Sequence, residues 1–155
     1  MINFLGNFEA TLDSKFRFLL PSGIRKQLPE NVGNQFIINR GVEGCLTLYT
    51  KQVWDPIFEK FSKLGDFDLK AKAFKRAFIS AASLVEMDTA SRLLIPKNLA
   101  EYAGLKKDII LASDYNKIEI WDAETYNKRF MYISPEEFSR MAQEVMGNLP
   151  NDFGV

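Results

Sequence analysis

Histidine is absent from the 155 residues, cysteine occurs once, and net charge is zero, with 20 Lys+Arg set against 20 Asp+Glu. Each shortage removes a class of function. Without histidine the chain lacks the commonest general base and metal ligand, and every Ser-His or Cys-His dyad. A single cysteine, Cys45, excludes an intrachain disulfide and argues against zinc, whose structural sites take four Cys or His ligands. Its apolar neighbours make a buried, inert thiol the expected state. No apolar run approaches the roughly 18 residues that a membrane helix needs. The start M-I-N-F-L-G-N-F-E has neither the basic residues nor the long apolar stretch of a signal peptide, so a cytoplasmic protein is expected. Charge neutrality argues against bulk coating of nucleic acid but leaves room for a local basic patch. What the chain does have is core material. Hydrophobic residues at 46% and aromatics at 13% suffice for one compact domain or two intimately packed halves.

The most informative feature is a repeat. Residues 12–20 read L-D-S-K-F-R-F-L-L before Pro21, and residues 87–95 read M-D-T-A-S-R-L-L-I before Pro96. Asp13 matches Asp88, Arg17 matches Arg92 and Leu19 matches Leu94. Downstream, Leu46-Thr47-Leu48-Tyr49 matches Ile118-Glu119-Ile120-Trp121 after one small gap. A duplicated unit implies a pseudo-two-fold object carrying two copies of whatever the Asp…Arg loop does.

Each copy reads as β-β-α-β-β. In the first, strands over 3–11 and 17–20 form a hairpin with its tip near 13–16, and Pro21 opens a short helix over 22–28. Strands 35–40 and 45–49 follow. Helices are expected over 51–64, capped by Thr50, and over 68–80. The second copy repeats the order: strands 82–87 and 92–95, helix 97–103, strands 108–112 and 117–121. Helices near 123–131 and 135–146 follow, the latter opened by Ser134-Pro135-Glu136-Glu137. Residues 147–155 read as a loose tail. The domain organisation is a first half (1–50), a helical connection (51–80), a second half (81–122) and C-terminal helices with a tail (123–155). Four short strands cannot close a large barrel alone, so the expected fold is α+β, with two halves interleaving their hairpins into one barrel.

The tandem D-x-x-x-R loops, with R-G-V-E-G-C-L-T-L-Y and A-G-L-K-K-D-I-I-L-A-S-D-Y-N-K-I-E-I-W-D, resemble the MraZ family of bacterial transcriptional regulators. That family is related to the AbrB-like DNA-binding domains. The resemblance covers nearly the whole chain. It implies a swapped-hairpin, double-split β-barrel, assembly into a homo-oligomeric ring, and nucleoid-associated binding to repeated promoter boxes upstream of the division and cell-wall genes. It implies no cofactor. The family loop reads D-x-x-G-R, whereas Phe16 and Ser91 stand here at the glycine positions. Either the loops are shaped differently or both residues accept a backbone that glycine would adopt freely.

Double-stranded DNA is the expected partner. Arginine offers a planar fork for phosphate or a guanine edge, and lysine a mobile point charge. The candidate contacts are Lys15 and Arg17 first, then Arg92, with Arg25 and Lys26 as phosphate contacts. Asp13 and Asp88 are expected to support the turns. Arg17 and Arg92 have a second reading, in which each merely bonds the aspartate of its own loop. The basic face of helix 68–80 (Lys70, Lys72, Lys75, Arg76) reads as solvated. Trp54, Phe58, Phe61, Phe74 and Phe78 read as packing residues. An enzyme has little to be built from: no histidine, no metal cluster and no phosphate-cradling glycine loop. The competing reading is a ring-forming scaffold whose DNA binding is weakened or lost, as Phe16, Ala90 and Ser91 suggest.

Overall fold

Strands in this protein pair between the two halves more than within them, in four ladders against two. The computed structural model describes residues 2–147. Its first half contains β1 (Asn7–Thr11), β2 (Arg17–Leu19), α1 (Ser22–Arg25), β3 (Gln35–Arg40) and β4 (Leu46–Thr50). Two helices follow, α2 (Lys51–Ser62) and α3 (Leu69–Ala81). The second half repeats the series as β5 (Ser83–Glu86), β6 (Arg92–Leu94), α4 (Lys97–Tyr102), β7 (Asp108–Asp114) and β8 (Lys117–Asp122). The expected β-β-α-β-β order is present twice, with element ends displaced by a few residues.

The first hairpin differs from expectation. Its turn is there, with the Asp13 N–H donating to the Arg17 carbonyl at 2.8 Å and the Phe16 N–H to the Asp13 carbonyl at 3.0 Å. Its arms, however, are completed by the other half. β1 pairs with β7, Phe8 opposite Leu111, and β2 pairs with β6. The strand expected over 3–11 also begins only at Asn7. A short isolated hairpin is marginal in water. Pairing across the halves lets β2 and β6 bury Phe18 and Leu93, 1% and 0% exposed, in a common core.

All ladders are antiparallel. Six strands run in the order β1-β7-β8-β4-β3-β5, and β2 and β6 form a separate ribbon. Exchanging the halves (β1 with β5, β3 with β7, β4 with β8) reverses this order into itself. Phe18 sits opposite its repeat equivalent Leu93, and Thr47 opposite its equivalent Glu119, so the pseudo-two-fold axis passes through both pairs. Among the described residues the ladder does not close into the expected barrel, since β1 and β5 remain its edges. Closure is by side chains instead. Phe18, Leu20, Leu93 and Ile95 from the ribbon side share one core with Phe36, Ile38, Leu46, Leu48, Ile109, Leu111, Ile118 and Ile120 from the sheet.

The opposite face of β3 and β4 is covered by α2 and α3. Side chains alternate along a strand, so Ile37 and Tyr49 point away from the main core and meet Trp54. Trp54 stacks on Phe78, which stacks on Phe61 with ring centroids 4.1 Å apart. Trp54, Phe61 and Phe78 thus pack, as expected, whereas Phe58 and Phe74 touch this stack but remain 43% and 57% exposed. Thr50 caps α2 by accepting from the Val53 N–H, and Asp68 caps α3 by accepting from Lys70 and Ala71. From Thr125 onward the chain forms a second unit, with the rest of α5 (Ala123–Phe130) and α6 (Pro135–Met146). Ser134 caps α6 through the Glu137 N–H at 3.1 Å. The expected tail, beyond Gly147, lies outside the described residues.

Candidate nucleic-acid interface

Both Asp…Arg loops fold the same way down to single hydrogen bonds. Asp13 Oδ1 accepts from the backbone N–H of Lys15 and of Arg17, each at 2.9 Å, and its Oδ2 accepts from Arg17 Nε at 2.9 Å. Asp88 does the same with Ala90, Arg92 and Arg92 Nε at 2.9, 2.8 and 2.9 Å. These are the local side-chain bonds by which aspartate nucleates a turn. The Arg17 amide, with the Lys15 amide and the Arg17 guanidinium, holds the Asp13 carboxyl below its ordinary range. The Arg92 amide, then its guanidinium and the Ala90 amide, do so for Asp88.

Phe16 and Ser91 both sit at φ 62°. The loops therefore keep the glycine-type backbone, and the two side chains accept the left-handed conformation, at a cost of roughly 1 kcal/mol each. The two readings of the arginines prove compatible. Each spends its Nε on the turn, and among the described residues no protein acceptor takes its terminal Nη groups. Fixing Nε orients the guanidinium and leaves its outer edge for a ligand.

The ribbon brings the loops together. Arg17 pairs across from Leu94, and Leu19 from Arg92. Phe18 and Leu93 point inward, so these four side chains share the outward face. Strand spacing and rise put the two arginine Cα atoms about 8 Å apart on a diagonal. That is narrower than the major groove, about 12 Å wide, which admits a two-stranded ribbon.

The surrounding cations lean towards the first loop, although exposed Lys97 opens α4 where the first half has Ser22. Lys15 is exposed, whereas its repeat equivalent is Ala90. Arg25 and Lys26 are exposed at the end of α1, and Arg25 Nε donates to the Leu20 carbonyl at 2.9 Å. Their equivalents are Ala100 and Glu101. Lys107 is a cation that sequence order did not reveal. The Leu12 N–H donates to the Lys107 carbonyl at 2.8 Å, and Lys107 helps line a surface cleft of about 530 Å³ with Asp13, Ser14 and Phe16. Cross-half pairing puts it there. At the matching place in the other half, the Met87 N–H donates to the carbonyl of Asn34 at 2.7 Å. The neighbouring Lys106 is engaged elsewhere, by Glu124 at 3.2 Å.

Other features stay apart from this face. On α3, Lys72 and Lys75 bind Asp66 at 3.6 and 3.3 Å, tying the helix to its own preceding loop. Burial, then the charge of Glu119, pushes the Cys45 thiol up to about 12, as befits an inert group. Among the described residues no group of three or more His, Cys, Asp or Glu side chains could hold a metal, and no helix is long and apolar enough to cross a membrane.

Comparison with known proteins returns the family reached from the loops. A family model described as "MraZ protein, putative antitoxin-like" matches twice, over residues 3–77 and 78–149. The chain is 40% identical over 149 residues to the transcriptional regulator MraZ of Christiangramia forsetii, covering 96% of each chain. It is 40% identical over 157 residues to that of Flavobacterium psychrophilum, covering 100% of this chain and 99% of the relative. Identity to the one from Natranaerobius thermophilus is 34% over 143 residues, 92% of this chain and 96% of the relative.

Proposed function

Because the chain belongs to the MraZ family, a family of transcriptional regulators and not of enzymes, we propose that it is a DNA-binding transcriptional regulator that docks the β2–β6 ribbon on duplex DNA. The observation that carries this reading is the outward face of that ribbon. Two arginines from two copies of one loop are fixed at Nε by their own aspartates and open at their terminal nitrogens. Arg17 and Lys15 lead the contact. Arg92 is the weaker partner from the second loop. Arg25 and Lys26 meet phosphates, and Asp13 and Asp88 hold the turns. No cofactor enters.

The finer reading follows the family. The interlocked sheet and ribbon form an open variant of the swapped-hairpin barrel. The protein acts as a repressor on repeated promoter boxes of the division and cell-wall cluster, in the cytoplasm at the nucleoid. One neutral subunit with a handful of cations binds weakly, because phosphate neutralisation supplies much of the free energy. A homo-oligomeric ring presenting several ribbons to several boxes multiplies weak contacts through effective concentration.

The test is fluorescence-anisotropy titration of DNA from upstream of the protein's own gene, beside a scrambled duplex, at two salt concentrations. Tight, salt-sensitive preference for the native duplex that vanishes in Arg17→Ala, with the assembly size unchanged, is the expected result. Equal weak binding to both duplexes would sink the regulator reading. It would favour the scaffold, to which Ala90, Ala100 and Glu101 already lend the second loop's poverty in cations.

A further inference from the structure

Two leucines stand where a purely electrostatic DNA surface would have none. Leu19 is 52% exposed and Leu94 is 47% exposed. Single exposed leucines are ordinary on protein surfaces. These two differ in three respects. They are repeat equivalents, so the same choice is made in both halves. Each lies directly across the ladder from an arginine, Leu19 from Arg92 and Leu94 from Arg17. They also occupy the outward face, since Phe18 and Leu93 between them are buried.

We infer that Leu19 and Leu94 contact the C5-methyl groups of thymines in the major groove, and so help to set the base sequence that the ribbon prefers. This rests on the DNA-binding reading above. The chemistry leaves few alternatives for an apolar side chain facing duplex DNA. Major-groove base edges offer hydrogen-bond donors and acceptors, and one apolar group, the thymine methyl. The minor groove offers none. The four outward side chains stand at the corners of a patch about 5 Å by 7 Å, so one groove can receive both leucines and both arginines.

The symmetry adds a constraint. An antiparallel pair has its local two-fold axis normal to the ribbon, and here it runs between Phe18 and Leu93. Aligned with a duplex dyad, it directs Leu19 and Leu94 to opposite DNA strands. The preferred site therefore carries a thymine on each strand, symmetric about its centre, with each arginine beside the methyl contact of the opposing strand.

The experiment starts by selecting bound duplexes from a random pool with the full chain. The selected thymines are then replaced with deoxyuridine, which removes the methyl and keeps every hydrogen-bonding group. Loss of about fourfold in affinity per methyl is expected, the ratio equivalent to about 0.8 kcal/mol for one buried apolar carbon. In Leu19→Ala with Leu94→Ala, thymine and deoxyuridine duplexes should bind alike, with the salt dependence of wild type retained. Both leucines are surface residues, and light scattering of the variant is measured alongside to check its assembly. A wild type that selects a defined site yet binds its deoxyuridine version equally well would overturn the inference and leave the regulator reading standing. Selection of no sequence would remove the regulator reading and this inference with it. A variant that changes assembly size while retaining the methyl preference would make the leucines subunit contacts, and would also overturn the inference.

Discussion

Lys107 offers the sharpest test of how the fold builds its cationic face, because only the cross-half ladder brings it to the first loop. Each phosphate contact adds about 0.9 to the slope of log affinity against log salt. Raising salt from 50 to 200 mM therefore costs about 3.5-fold in affinity per contact. The structure supplies six candidates per chain: Lys15, Arg17, Arg25, Lys26 and Lys107 on the first-loop side, and Arg92 on the other. If all six reach phosphates, the slope is about −5.4 and the loss over that range about 1,800-fold. Lys107→Ala should bring these to about −4.5 and 500-fold. Asn34→Lys, at the equivalent place beside the second loop, should steepen the slope by about 0.9. Lys70→Ala is the control, on a helix that covers the sheet face away from the ribbon, and should leave the slope alone. The readout is anisotropy titration at four or more salt concentrations. If Lys107→Ala leaves the slope unchanged while Lys15→Ala lowers it, the cleft between the first loop and the start of β7 is outside the DNA footprint.

Three further outcomes follow from the loops and the core. Ser91→Gly should stabilise the protein by about 0.5–1 kcal/mol, since glycine takes the φ of 62° without strain but adds entropy to the unfolded chain. Phe16→Gly should destabilise despite the same φ, because its ring packs against the main core; urea midpoints at constant m-value would separate the two, and equal shifts would refute the account. Asp13 and Asp88 titrate below the ordinary aspartate value of 3.8, so their contribution to stability is present above that value and fades as pH falls through their folded values; Asp13→Asn with Asp88→Asn should flatten the stability profile below about pH 4, and an unaltered acid limb would contradict the turn role. Cys45, pushed up to about 12 and buried, should resist a disulfide reagent at pH 8 until denaturant unfolds the core, and rapid labelling of the native protein would refute its burial.

Much of the fold was legible because it is written in apolar spacing and turn chemistry. Thr50 and Ser134 announce helix starts by side-chain bonds local to the chain, and both caps are present. The 13–16 and 88–91 reversals were likewise readable, since aspartate makes its turn from neighbouring amides. Strand partners were not. β1 and β2 look like one hairpin because sequence neighbours usually pair, and nothing within residues 3–20 says that β7 and β6 complete them. The same blindness hid Lys107, which is about 90 residues from Asp13 in the chain and next to its loop in space. The conformation of Phe16 and Ser91 was undecidable from residue type, because the type argues against φ above zero and only the Asp-centred bonds around each turn enforce it.

The repeat has kept what the core demands and relaxed what the surface does not. Phe18 and Leu93, Leu20 and Ile95, and Ile24 and Leu99 are equivalent pairs, all buried, and a polar residue at any of them would leave an unsatisfied group in the shared core. Lys15 and Ala90, and Lys26 and Glu101, are also equivalent and all four are exposed, while exposed Arg25 is matched by Ala100, which is buried in the core, so more positive charge has collected on the first-loop side. On the DNA-binding reading, the dyad is then only approximate. The ribbon offers a symmetric set of groove contacts through its arginines and leucines, while the other cations are concentrated around the first loop. A subunit built this way has a preferred orientation on a symmetric site, because turning it around moves its cations from one flank of the duplex to the other. In an array of boxes, that polarity would set the direction in which successive subunits face.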